Sequence, residues 1–300
     1  MANNQFRYQT YRPNRPSTQP KKPTRTSHRR AVFITAFGII IGIYGIYSAT
    51  KAISHYVSLA DSVATIKTVP IPSSLTKKIN AIIAGSPTSQ VGVALENTTS
   101  GETKTYGVTA PFEAASTAKL ITAVAYYHLV EHGEASLTTP MGPYDAAFQM
   151  KEMINDSDND AWNLLANAVG DDELAAYAAS IGVNYGVAGN TLAPSDMTTL
   201  LTKLYNNQLL NKTDTDQLLS YMQNTNDETL IPAAVPSNIT VYHKYGLLNG
   251  GLHDVAILVD GNTSYALAIY TKNADDSDDA TRTTMIHQIT QAVTSAVFNS

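Results

Sequence analysis

Two residues three positions apart open the question of chemistry. Ser116 and Lys119 bracket Ser116-Thr117-Ala118-Lys119, which leads into residues 120–130, a run free of charge, Gly and Pro. That run predicts a helix buried on most sides, with Gly133 as its stop signal. At helical spacing the serine hydroxyl and lysine amine fall on one face, one turn apart. A lysine that burial can deprotonate, held beside a hydroxyl, is a base next to its nucleophile. Backbone donors at a helix start also favour negative charge developing there. The pair alone reads equally as an N-capping serine with an exposed lysine.

What raises the pair above that ordinary reading lies further along. Ser157-Asp158-Asn159 sits in the polar run 155–160, between helices predicted over 145–154 and 161–169. Such a run on its own is a loop and a helix cap. His243-Lys244-Tyr245-Gly246 closes a strand-like segment, 239–245. Further strands are expected over 90–96, 103–108, 253–260 and 264–271, with Gly250-Gly251 and Gly261-Asn262 as turns. Helices are expected over 75–84, 171–181, 194–206, 213–223 and 282–298. Strands therefore flank a mostly helical middle, an α+β chain whose two ends share one antiparallel sheet.

The first fifty residues differ in kind. Residues 1–30 carry eight Lys or Arg, no Asp or Glu and four prolines, the composition of a disordered basic arm. Residues 31–49 are uncharged and Ile-rich, long enough for a transmembrane helix. Lys21, Lys22, Arg25, Arg29 and Arg30 before that stretch place the N-terminus in the cytoplasm and the bulk of the chain outside. The expected organisation is a basic arm (1–30), a membrane span (31–49), a juxtamembrane spacer (50–74) and one folded domain (75–300). Beyond residue 50 there are 12 basic against 25 acidic residues, a net charge of −13, which disfavours nucleic acid as a partner. The absence of cysteine excludes disulfides, thiolate metal sites and a cysteine nucleophile. No cofactor motif is read, and the acidic segment 275–279 reads as a solvated loop rather than a calcium site.

The three motifs, in this order and setting, resemble those of the active-site serine penicillin-recognising enzymes, and the class A β-lactamases most closely. Phe112-Glu113-Ala114-Ala115 before the serine, Met153-Ile154 before the second motif and Asn163-Leu164-Leu165 after it carry the likeness, as do Gly250-Gly251 and the strand 254–258. The resemblance spans about residues 75–300. It implies a β-lactamase/transpeptidase-like fold, a helical domain plus an antiparallel sheet flanked by helices, with the site between. It further implies Ser116 as nucleophile, Lys119 as acylation base and Ser157 as proton relay. Asn159, Lys244, Tyr245 and Gly246 would bind substrate, and the amides of Ser116 and Leu248 would form the oxyanion hole.

Two departures qualify what the resemblance implies. The Ω-loop glutamate that activates the deacylating water has no counterpart, since 182–194 contains no Glu or Asp. Tyr245 stands where the family has Thr or Ser. The expected function is a membrane-anchored extracytoplasmic serine hydrolase acylated by a lactam or amide, with slow deacylation. A D,D-peptidase-like cell-wall enzyme and a non-catalytic module binding wall peptides or a partner are the alternatives. A zinc hydrolase built on His128 and His132 has Leu129 where the H-E-x-x-H motif places its glutamate.

Overall fold

The computed structural model describes residues 69–86, 89–274 and 279–298. The basic arm, the expected membrane span and most of the spacer lie outside the described residues, as does most of the acidic segment 275–279. Among the described residues no helix is long and apolar enough to cross a membrane. The spacer ends earlier than expected: Pro72 caps α1 (Ser73–Ala84), because its fixed backbone suits the position before a helix.

A five-stranded antiparallel sheet organises the rest. It comprises β1 (Gln90–Asn97), β2 (Thr103–Gly107), β7 (Thr240–Leu248), β8 (Gly251–Asp260) and β9 (Thr263–Lys272), in the order β2-β1-β9-β8-β7. Strand β1 pairs with β9 along its whole length, so the two ends of the chain do share one sheet. Strands β8 and β9 are buried on both faces, which explains their nearly unbroken apolar runs. One face packs on α1 and α8 (Asp279–Val297) through Leu75, Ile79, Leu95, Leu258, Leu267 and Ile289. The other face, through Val255, Ala268 and Tyr270, meets α6 (Pro194–Tyr205) and the helical layer.

That layer centres on α2 (Lys119–Glu131), whose residues Lys119 to Tyr127 are all buried. Around it lie α3 (Ala146–Asn155), α4 (Asn159–Val169), α5 (Asp171–Ser180) and α7 (Lys212–Tyr221). Short strands complete the connections: β3 (Phe112–Glu113) pairs with β6 (Thr191–Leu192), and β4 (Pro140–Met141) with β5 (Tyr144–Asp145). The β3–β6 ribbon fastens the segment before Ser116 to the short connector that opens α6.

At Gly92 strand β1 passes so close to its neighbours that a Cβ would lie 2.4 Å from the Val108 carbonyl oxygen, 2.7 Å from Phe112 and 3.0 Å from Pro194. Gly92→Ala is expected to destabilise the domain by about 1–3 kcal/mol through overpacking. Calorimetry should show a melting temperature lowered by about 3–10 °C; an unchanged melting temperature would contradict this packing.

Candidate active site

Ser116 does not sit in the helix itself. It lies on a 3-10 turn, Ala115–Ala118, that runs directly into α2. The turn is held from several sides. Ala114 donates its amide to the Asn190 carbonyl at 2.7 Å, and the Asn190 side-chain amide donates to the Ala115 carbonyl at 3.1 Å. Thr117 Oγ1 donates to the Ala114 carbonyl at 2.6 Å and meets the Tyr270 hydroxyl at 3.0 Å. His253, fully buried, donates from Nε2 to the Glu113 carbonyl at 2.8 Å and accepts from the Thr271 amide at Nδ1. That pairing defines the neutral tautomer, and burial pulls the imidazole down to about 4. Ala115, Ser157 and Asn190 all have positive φ (49°, 57° and 45°), so left-handed backbone at non-glycine positions clusters around the serine.

Lys119 is completely buried, and its amine is the junction of the site. Nζ lies 3.1 Å from Ser116 Oγ, 2.6 Å from the Ser157 carbonyl, 3.3 Å from Ser157 Oγ and 2.8 Å from Asn159 Oδ1. The Trp162 ring lies 5.2 Å away. Burial lowers its pKa to about 8, against the opposing pull of Asp158. The first two sequence motifs thus converge on one ammonium group. Asp158 meanwhile caps α4, accepting the Ala161 amide at 2.6 Å.

Lys244 is also fully buried, on edge strand β7. Its Nζ donates to the Tyr245 carbonyl at 3.1 Å and lies 4.2 Å from the centre of the Tyr245 ring. Burial, followed by the charge of Lys119, lowers its pKa to about 7, with Asp254 and Asp227 opposing. Two ammonium groups that penalise each other's charge titrate as a pair. Behind them His243 donates from Nδ1 to Asp254 at 3.0 Å and faces Thr225 Oγ1 at 3.0 Å and Glu228 at 3.3 Å. Burial lowers its basicity, but Asp254 and Glu228 outweigh that and raise its pKa.

The hairpin turn corrects the expected oxyanion donor. Asn249 and Gly250 both have positive φ (50° and 77°), the signature of a two-residue type I′ turn. Such a turn is closed by a hydrogen-bonded pair, here Leu248 and Gly251. Alternation then turns the amides of Leu247, Tyr245 and His243 to the free edge, and His243 N does donate outward, to the Met222 carbonyl at 2.8 Å. The strand amide available to Ser116 is therefore that of Leu247, not Leu248. Gly246 permits the approach: a Cβ there would lie 3.0 Å from the Ser116 amide and 3.1 Å from Ala115 Cβ.

The cleft over Ser116 holds about 310 Å³ and is lined by Ala115, Asn159, Trp162, Asn163, Leu247 and Leu248. Trp162 is half-buried and forms a wall, its indole N–H donating to Thr122 Oγ1 at 2.9 Å. Among the described residues no carboxylate lines the cleft. Asp196 is tied to the backbone amides of Asn184 and Ala193, with burial raising its pKa, and Asp227 accepts from Thr229. His128 and His132 stack on each other away from this cleft, and among the described residues no cluster could hold a metal ion. Asn190, Asn226 and Trp162 are the functional-site neighbours the motifs did not point to; the first two reach the site from distant stretches of chain, and Trp162 lies one turn along α4 from Asn159.

A serine, a desolvated lysine, a second hydroxyl and two converging amides on one cleft are the parts that acyl transfer through a serine ester requires. The profile of the beta-lactamase enzyme family matches residues 74–297, and the chain belongs to that family. It is a serine hydrolase of the β-lactamase type. Among solved structures it is similar to PBP-A, at 25% identity and a TM-score of 0.71, covering 78% of this chain and all of that one. It is similar also to a PBP-A variant solved as an acyl-enzyme complex with penicillin G, at 25% identity and a TM-score of 0.70 over 78% and 99% of the two chains. An ancestral class A β-lactamase (GNCA, the last common ancestor of Gram-negative bacteria) shares the fold at 22% identity and a TM-score of 0.69, over 74% and 99%. Comparison with curated proteins finds no match.

The lysine pair sets an expectation for pH. The neutral form of Lys119 grows as pH rises through about 8, while the cation on Lys244 is lost as pH rises through about 7. Covalent modification of Ser116 by a penicillin should follow a bell-shaped profile centred between these values. In Lys244→Met the descending limb should vanish, leaving a single ascending limb that follows Lys119 near 8. Stopped-flow rates that stay flat from pH 6 to 10 would refute the pairing.

Proposed function

We propose that the protein is a membrane-anchored, extracytoplasmic serine acyl-transfer hydrolase of bacterial cell-wall chemistry, acylated at Ser116 by a lactam or amide. The observation that carries the reading is the Lys119 amine, buried, poised near neutrality and 3.1 Å from Ser116 Oγ. In the proposed cycle Lys119 takes the serine proton as Ser116 attacks the carbonyl carbon. The amides of Ser116 and Leu247 hold the oxyanion. Ser157, hydrogen-bonded to Lys119, passes a proton to the leaving nitrogen, and Asn159 binds the substrate amide. Lys244 supplies positive potential and Gly246 admits the substrate to the edge of β7.

Deacylation is the weak step of this cycle. The cleft offers no carboxylate to deprotonate a water, and general-base help of that kind is worth about 10²–10⁴-fold. This favours slow-turnover, penicillin-binding behaviour over rapid β-lactam hydrolysis. The intact acylation set stands against a purely non-catalytic binding module.

Saturating penicillin should give a burst near one product per enzyme and then slow turnover, with the acyl-enzyme visible by mass spectrometry. Ser116→Ala should abolish the adduct while the fold persists, since losing one hydroxyl costs too little to unfold the domain; Lys119→Met should slow acylation by orders of magnitude. Rapid steady-state hydrolysis without a detectable adduct would sink the slow-deacylation reading, and an adduct on Ser116→Ala would sink the nucleophile assignment.

The uncharged stretch 31–49 and the basic residues before it support the anchoring half of the proposal. External protease added to intact cells is expected to release the catalytic domain and leave a short N-terminal fragment. A domain that stays protected beside an intact cytoplasmic control would overturn this topology.

A further inference from the structure

Among the described residues Lys244 is the strand cation beside the serine, and its own neighbour closes it off. The Tyr245 ring lies 4.2 Å from Lys244 Nζ, the Tyr245 carbonyl accepts from that Nζ, and the side chain of Lys244 has no exposed surface. A threonine at position 245 would end at its γ-oxygen; tyrosine continues around the free edge of β7. Its hydroxyl donates to Asn226 Oδ1 at 2.9 Å.

Asn226 is itself fixed. Its side-chain amide donates to the Asp156 carbonyl at 2.7 Å, and its backbone amide donates to the Asn155 carbonyl at 3.2 Å. Asn155 in turn donates to the carbonyls of Tyr221 and Gln223, both at 3.0 Å. The ring is thus a latch anchored to the same loop that carries Ser157. Its surroundings are hostile to an anion: Asp227 and Asp156 lie close enough to Tyr245 to disfavour its phenolate. The cleft wall on the other side is neutral or apolar, through Asn159, Asn163, Trp162, Leu247 and Leu248.

We infer that Tyr245, latched by Asn226, is a specificity-determining residue that shields Lys244 from substrate carboxylates, so that the site selects acyl donors that are uncharged beside the scissile bond. The class is an internal peptide amide, an amidated terminus or an ester, in preference to a donor ending in a free carboxylate. This rests on the serine-hydrolase reading above and narrows its substrate class. A carboxylate placed at β7 would have to displace the ring, or lie among Asp156 and Asp227 without a cation in reach. A neutral donor carries no such cost and gains apolar contact with Leu247 and Leu248, which are 50% and 42% exposed.

The test uses penicillin G and its methyl ester, with a fluorophosphonate probe, uncharged at the corresponding position, as the control. Acylation rates of Ser116 are read by mass spectrometry for the full chain and for Tyr245→Thr and Asn226→Ala. The wild-type protein should take the methyl ester at least tenfold faster than the free acid. In both variants the free-acid rate should gain at least tenfold relative to the ester and fluorophosphonate rates of the same protein. Asn226→Ala frees the latch without touching β7, so its gain separates release of Lys244 from any disturbance of the strand. A wild-type preference for the free acid, or variants that gain nothing on it while still reacting with fluorophosphonate, overturns the inference and leaves the hydrolase reading standing. Failure of fluorophosphonate to label wild-type Ser116 overturns the hydrolase reading and this inference together.

Discussion

The constraint on which the structure turns is a lysine amine buried with no carboxylate in contact. Lys119 Nζ has four oxygen neighbours, two of them hydroxyls, one a backbone carbonyl and one a side-chain amide. All are neutral, so they satisfy the group without stabilising its charge as an ion pair would. Burying an amine this way is costly, and the surrounding fold meets the cost. Residues Leu120 to Tyr127 bring α2 into the core and carry Lys119 with it. The reward is a base near neutrality beside a hydroxyl, which a surface lysine cannot be.

Strain gathers around the same point. Ala115, Ser157 and Asn190 adopt left-handed backbone, and each is held by tertiary hydrogen bonds rather than by its own preference. The β3–β6 ribbon, His253 and Tyr270 fix the turn before the serine, while Asn155 and Asn226 fix the loop that carries Ser157. Because these clamps come from several separate elements, the nucleophile and its partners are held at a fixed spacing. The second lysine uses the same economy differently. Lys244 reaches the site from β7, is desolvated there, and is covered by the residue that follows it.

The shortened stretch between α5 and α6 shows what the fold can do without. Residues 182–194 serve as a brace, through β6 and Asn190, and they bring no carboxylate to the cleft. Asp196, the nearest acid in sequence, is engaged in holding the backbone of that brace. In the proposed cycle acylation draws on α2, α4 and β7, and deacylation on this connector.

The sequence by itself determined which groups are candidates for reaction. Ser116, Lys119, Ser157, Asn159 and Lys244 stand in motifs whose local spacing matters, and short-range periodicity marked the strands and helices that carry them. It also determined the missing glutamate, because an absent residue type is visible without coordinates. What tertiary structure decided was direction and company. Whether Leu247 or Leu248 turns its amide to the serine depends on the parity of a hairpin closed at Asn249-Gly250. That Trp162 walls a cleft, that Asn226 holds Tyr245 and that Asn190 braces Ala115 are contacts between segments 19 to 75 residues apart or longer, or between side chains and a space no motif describes. Local patterning constrains which face of an element is apolar; it carries no information about which distant backbone will be packed against that face, and the lowered lysine pKa values exist only once that packing has excluded water.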